Sequence, residues 1–317
     1  PMDSVVSPTS AAQFAAHGGL AILNLEGLWT RYEDPTPQYE QIAKASAGGS
    51  NALLQTLYSA AINPELIARR VSDLRAAGIT VAGALSPQRT AHFAKTVVDA
   101  GVDIFVIRGT TVSAEHVSSG DGILNLKEFI YQLDVPVIVG GVANGTAALH
   151  LMRAGAAGVL VGFGGGAAHT TRKVLGVQVP MASAVSEVAA ARREYLDESG
   201  GRYVHVIADG SVGRSGDIAK AIACGADAVM MGSPLAKATE APGLGWHWGS
   251  EAHHQELPRG ERVAVGTTGS LEQILQGPSH SADGSMNMFG ALRRAMATCG
   301  YSNLKEFQRV EILIARA

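Results

Sequence analysis

The sequence predicts an α/β fold, a (β/α)8 TIM barrel, with a doubly wound parallel sheet as the alternative that its rhythm leaves open. Three observations carry this. Short, continuous apolar runs recur between helical stretches, as parallel strands covered by helices require. Glycine closes one helix after another, at Gly78, Gly101, Gly155 and Gly225. The 317 residues are 46% hydrophobic and 17% charged, enough to bury one large core and too apolar for a disordered chain. Residues 1–317 are therefore read as a single barrel domain.

The elements follow in order. Pro1 to Ser7 reads as the tail of a first strand whose beginning lies upstream, since the chain opens on proline and not methionine. Ala11 to Ala16 is helical and closes at His17-Gly18-Gly19. Leu20 to Leu25 is a buried strand. Thr30 to Ala61 is an elaborated connection, polar around Pro35 and Pro37 and helix-like at Tyr39–Ala45 and Asn51–Ala60. Asn63-Pro64-Glu65 opens a helix running to Ala77, with a cap, a first-turn proline and a first-turn acid.

From there the period is regular. Strands are expected at Thr80–Ala84, Asp103–Ile107, Val135–Val139, Gly158–Val161, Tyr203–Ala208 and Ala228–Met231. Helices are expected at Arg89–Ala100, Leu126–Leu133, Asn144–Ala154, Met181–Glu198 and Ser215–Cys224. On Met181–Glu198 the charged residues Glu187, Arg192, Arg193 and Glu194 are read as its wet side. Residues 234–284 break the rhythm with many Gly and Pro. A structureless excursion of that length after the last strand reads as a functional lid or as a disordered segment. Gly290–Ala297 is a final helix, and Val310–Ile314 a last apolar run.

Composition excludes several classes of partner. The formal charge is −3 and there is no basic block, so nucleic acid is not expected. No apolar run spans a bilayer and no signal peptide is present, so a membrane is not expected either. The two cysteines, Cys224 and Cys299, lie in small-residue helical contexts. They read as buried thiols, which implies a cytoplasmic setting.

Three stretches carry chemistry. The central one runs from Val159 to Arg172, where an apolar strand gives way to Gly162-Phe163-Gly164-Gly165-Gly166 and then to His169, Thr170 and Thr171. Its glycines free the backbone to wrap closely around a ligand. The carbonyls of Gly164, Gly166 and His169 offer ligands to a monovalent cation. His169 reads as a general base, a nucleophile or a loop hydrogen-bonder. The second is Asp209, directly after an apolar strand. There a carboxylate accepts two hydrogen bonds from a vicinal diol such as a ribose. The third is Gly232-Ser233 which, with Gly210, would grip a phosphate monoester through backbone N–H groups and a hydroxyl. His247, His253 and His254 lack the spacing of a zinc site. Trp246 and Trp248 either cover a ring or pin the excursion.

At these residues the chain resembles the IMP dehydrogenase/GMP reductase family. Pro1-Met2-Asp3-Ser4-Val5 is similar to the family's PMDTV, and His17-Gly18-Gly19 to its HGG. Ala100-Gly101-Val102-Asp103, Ala208-Asp209-Gly210, Ser215-Gly216-Asp217-Ile218 and Gly225 to Ser233 match as well. The resemblance covers nearly the whole chain. More narrowly, it is to the actinobacterial IMP dehydrogenase-related paralogue group, without the CBS pair of domains.

The resemblance implies a barrel that binds a purine nucleoside 5′-monophosphate. Asp209 would hold the ribose, Gly210, Gly232 and Ser233 the phosphate, and Met2 the base. It implies NAD against Arg108, Gly162 and Gly164, a K+ ion, and a homo-tetramer. The implied activity is IMP to XMP in guanine nucleotide synthesis, with His169 and Thr171 in the catalytic loop. The departures are specific. The family loop reads GxGPGSICTTR, and here His169 stands at the nucleophilic cysteine. Ala167 replaces a phosphate-contacting serine, and Arg108 an aspartate near the nicotinamide ribose. Gly140-Gly141 replaces Gly-Asn, and the Arg-Tyr dyad that activates water is missing. Loss of a covalent nucleophile typically lowers turnover by orders of magnitude. The alternative is thus a nucleotide-binding regulatory pseudoenzyme.

Overall fold

The computed structural model describes residues 1–46, 48–113, 124–254 and 260–313. Seven parallel strands form one curled sheet in sequence order. They are β1 (Ile22–Asn24), β2 (Ala82–Leu85), β3 (Ile104–Arg108), β4 (Val137–Val142), β5 (Gly158–Val161), β6 (His205–Asp209) and β7 (Ala228–Met230). Each strand pairs parallel to the next, with one register shift between Gly140 and Val142 where β4 meets β5.

Side-chain alternation explains why both faces of these strands had to be apolar. Ile22, Ala82, Ala84, Val106, Ile138 and Leu160 form the layer inside the barrel, with Ile207 and Met230 against it. Their neighbours Leu23, Phe105, Ile107, Val139, Val159, Val161, Val206 and Ala208 point the other way into the main core beneath the helices. Several helices begin where the sequence places a cap. Asn63 accepts from Glu65 N before Pro64–Ala76, and Asn144 accepts from Ala147 N before Gly145–Arg153.

Four expectations are corrected. Pro1–Ser7 holds no strand: Asp3–Val5 is a turn, and Ser7 caps the helix Pro8–Ala16. Residues 234–284 are not structureless. They contain the helices Ser233–Ala236 and Leu271–Leu275 and the antiparallel pair β8 (Trp246–His247) and β9 (Val263–Ala264). Arg192 is not on a wet face but buried against Asp227 at 2.6 Å, because the helix turns it inward beside Val188 and Tyr195. Cys299 is exposed and Cys224 half-buried, and both are free thiols.

The elaborated connection and the excursion share a small core of their own. Trp248 is packed with Leu28, Tyr39, Ile42, Leu54 and Leu57, and its Nε1 donates to Tyr58 Oη at 3.0 Å. Arg262 lies over the Trp246 ring, 3.5 Å from its centroid. The two tryptophans therefore pin the segment. The last apolar run is not a strand over its described residues 310–313, and Ile314 lies outside them. Among the described residues no helix is long and apolar enough to cross a membrane.

Candidate functional site

The C-terminal ends of the strands set the site. Register pairs Val161 with Ala208 and Asp209 with Met230, so the turns after β5, β6 and β7 share one rim. Arg108 closes β3 and Asp209 closes β6 on that rim. A cavity of about 380 Å³ lies there, lined by Met2, Arg108, His169, Asp209, Gly232 and Ser233. Gly162, Gly164, Gly166, Thr171 and Gly210 also face it. The structure thus brings the sequence-predicted residues into one hollow, of a size typical of small-molecule sites.

The turn after β6 is conformationally tight. Gly210 has φ +97° and Ser211 φ +55°, so two successive residues are left-handed. Glycine adopts this freely, whereas for serine it costs about 1–2 kcal/mol. Ser211 is held there by its N–H donating to the Gly165 carbonyl at 3.2 Å. Across the loop, a Cβ on Gly162 would stand 2.4 Å from Met181 Sδ, and one on Gly164 would stand 2.8 Å from the Val177 carbonyl. Their missing side chains serve packing inside the loop. The Gly166 carbonyl accepts the His169 N–H at 3.2 Å, which engages one of the cation ligands offered by the sequence.

His169 is organised by a residue the sequence reading missed. Glu251 accepts from Thr170 N at 2.8 Å, Thr170 Oγ1 at 2.9 Å and Thr171 Oγ1 at 2.7 Å. His169 Nδ1 lies 3.4 Å from Glu251 Oε1, at the loose end of hydrogen-bond geometry. Burial opposes ionisation of Glu251. The bonds from His169, Thr170 and Thr171 outweigh it and hold the carboxyl well below its ordinary range. Glu251 is therefore an anion behind His169, whose Nε2 makes no hydrogen bond among the described residues. A Cβ on Gly166 would stand 2.3 Å from His169 Cδ2, so glycine there makes room for the ring. Thr171 is buried and its hydroxyl is committed to Glu251, a supporting position within the loop after β5.

Arg108 meets an anion of its own chain. Its Nε donates to Asp209 Oδ2 at 3.2 Å, with both side chains largely covered. Two histidines of the excursion go different ways. His247 turns to Ser4, Nδ1 to Oγ 2.8 Å. His253 stacks flat on Tyr58 with ring centroids 3.6 Å apart, and it does not line the main cavity. A smaller hollow of about 90 Å³ adjoins the cavity and shares Pro1, Met2, Arg108 and Ser250 with it. Ser86 lines that hollow too.

A curled parallel sheet with a glycine-lined cavity at its strand ends defines an α/β barrel protein. The chain belongs to the IMP dehydrogenase/GMP reductase family: residues 1–254 match the IMP dehydrogenase / GMP reductase domain. An uncharacterized oxidoreductase of Mycolicibacterium smegmatis is 51% identical over 322 residues, covering 99% of this chain and 86% of that protein. An inosine-5′-monophosphate dehydrogenase of Methanocaldococcus jannaschii is 36% identical over 239 residues, 68% of this chain and 46% of that one. The crystal structure of an IMP dehydrogenase/GMP reductase-like protein from Corynebacterium glutamicum superposes with a TM-score of 0.92 at 48% identity, covering 98% of this chain and 83% of that one.

Proposed function

We propose that this chain binds a purine nucleoside 5′-monophosphate and oxidises IMP to XMP with NAD, with His169 at the position of the family's cysteine and acting as a general base. The observation that carries the reading is the convergence of Met2, His169, Asp209, Gly232 and Ser233 on one cavity. Asp209 takes the ribose hydroxyls, and Gly210, Gly232 and Ser233 take the phosphate. Met2 packs on the base. Turnover needs water to add to C2 of the purine and a hydride to leave it. His169 Nε2 removes the water proton, and Glu251 steadies the imidazolium that results. NAD, when bound, accepts the hydride. Arg108, Gly162 and Gly164 would hold it, and the Ser86 hydroxyl in the adjoining hollow fits a polar cofactor, since it makes no hydrogen bond among the described residues. Loop carbonyls at Gly164, Gly166 and His169 would take a K+ ion. A cytoplasmic homo-tetramer completes the reading.

A regulatory, non-catalytic nucleotide-binding protein is the second reading. Two observations favour it: neither cysteine lines the cavity, and Arg108 occupies one oxygen of Asp209. Calorimetric titration with IMP, XMP and GMP, with and without NAD, tests the binding they share. Steady-state NADH formation from IMP separates them. If no purine monophosphate binds, both fail.

A further inference from the structure

His247 is 2% exposed and yet lines the cavity. One ring nitrogen is engaged, since Nδ1 lies 2.8 Å from the hydroxyl of Ser4, itself fully buried. The other, Nε2, makes no hydrogen bond among the described residues. Its direction follows from Gly232. A Cβ placed there would stand 3.1 Å from His247 Nε2 and 3.6 Å from Met2 Sδ. Nε2 therefore points at the turn after β7, where any side chain larger than glycine would meet it.

The ring is held from several parts of the chain. His247 is paired in β8 with Val263 of β9. The next residue, Trp248, is anchored through Nε1 to Tyr58. Ser4 Oγ is also 3.5 Å from both Trp248 N and its carbonyl. Nε2 is not sealed in the core but opens onto the cavity, so a donor or acceptor on a rigid element is presented to whatever binds there. Burial, and then the neighbouring charge of His169, push the His247 pKa down to about 4. The ring is therefore neutral near pH 7 and carries one proton. If Ser4 donates its hydroxyl to Nδ1, that proton stands on Nε2 and faces the cavity.

We propose that His247 is a ligand-contacting residue whose Nε2–H donates to the 5′-phosphate of the bound nucleotide, beside the backbone N–H groups of Gly232 and Ser233. Ser4 is its positioning residue and selects the tautomer. The inference rests on reading the cavity as a nucleoside monophosphate site, and it adds a phosphate ligand from a segment where the sequence showed only histidines without a metal spacing.

The test uses His247→Asn and His247→Gln in the full chain, titrated with IMP and GMP, together with the ³¹P resonance of the bound nucleotide. Asn keeps a polar atom for Ser4 and loses the one at Nε2, whereas Gln restores a donor near Nε2. His247→Asn should weaken binding by about tenfold to hundredfold, the usual effect of losing a hydrogen bond to a charged group. It should also move the bound ³¹P signal. His247→Gln should bind within severalfold of the wild type, and it carries the test if the Asn protein fails to fold. Unchanged affinity in His247→Asn overturns the proposal. So does weakened binding with an unmoved ³¹P signal, which would put the contact elsewhere on the ligand. If Asp209→Ala abolishes binding while His247→Asn does not change it, the inference alone fails. If the wild type binds no monophosphate, the reading beneath it fails as well.

Discussion

Arg108 Nε and Asp209 Oδ2 lie 3.2 Å apart and join the ends of β3 and β6 across the rim of the cavity. One carboxylate oxygen is thereby occupied by the protein, and under the proposed function the other takes the ribose hydroxyls. Substitution of Asp209 by alanine should weaken purine monophosphate binding by roughly hundredfold, because two hydrogen bonds to a charged group are lost. Titration of the folded variant checks this, and binding equal to wild type would remove Asp209 from the ribose role. Arg108→Gln should retain binding but melt at a lower temperature, since it strands a largely covered carboxylate.

Glu251 couples the excursion to the loop after β5. Its folded pKa lies below the ordinary 4.5, so it stabilises the protein fully above that value. The contribution declines as pH falls toward the lower folded pKa. Glu251→Gln removes the titrating group. The gap between wild-type and variant melting temperatures should therefore stay constant from pH 7 to about pH 5 and narrow as pH falls below 4.5. A gap that stays constant from pH 7 down to pH 3 would show that Glu251 is not held as an anion. If the protein turns over IMP, His169→Ala should slow NADH formation by about 10²–10⁴, the range for a lost acid–base group.

Asp227 joins β7 to the helix Met181–Glu198. Burial opposes its ionisation, but bonds from Lys305, Tyr203, Val206 N and Gln308 hold its pKa at about 2. Arg192 adds an ion pair at 2.6 Å, with both side chains under a tenth exposed. Asp227→Ala leaves the Arg192 charge buried without its partner and should destabilise the protein by about 3–5 kcal/mol. Chemical denaturation measures this. A loss well under 1 kcal/mol would mean that Lys305 and water re-solvate the site.

This cluster also marks where the sequence was legible and where it was not. The strands were readable because each is apolar on both faces, as in Gly158–Val161, whose bounds the structure reproduces. The rim residues were readable because they follow those runs directly. Arg192 was misread from its charge, although its spacing held the answer: Val188, Arg192 and Tyr195 fall on one buried helical face at i, i+4 and i+7. Glu251 and His247 carried no such signal. Their partners lie 80 residues or more away, at Thr171 and Ser4, inside a segment with no period to give a facing direction.

Trp248 is the residue that decides whether residues 234–284 stay down on the barrel. It is 2% exposed, and its Nε1 donates to the Tyr58 hydroxyl, which in turn donates to Asp3. His247 and Gly249 on either side of it face the two hollows, so the tryptophan fixes cavity wall as well as core. Trp248→Ala should cost about 3–5 kcal/mol through the void it leaves. It should also weaken nucleotide binding, since His247 and the Glu251 clamp on the loop both depend on the segment's place. Trp248→Phe keeps most of the packing and loses only the bond to Tyr58, so about 1 kcal/mol is expected. Limited proteolysis reads the local effect: the Ala variant should be cut within 234–284 before the rest of the barrel, and ligand should slow that cut. If the Ala variant loses stability globally but is cut no faster in that segment, Trp248 is a core residue of the barrel as a whole and does not anchor the excursion.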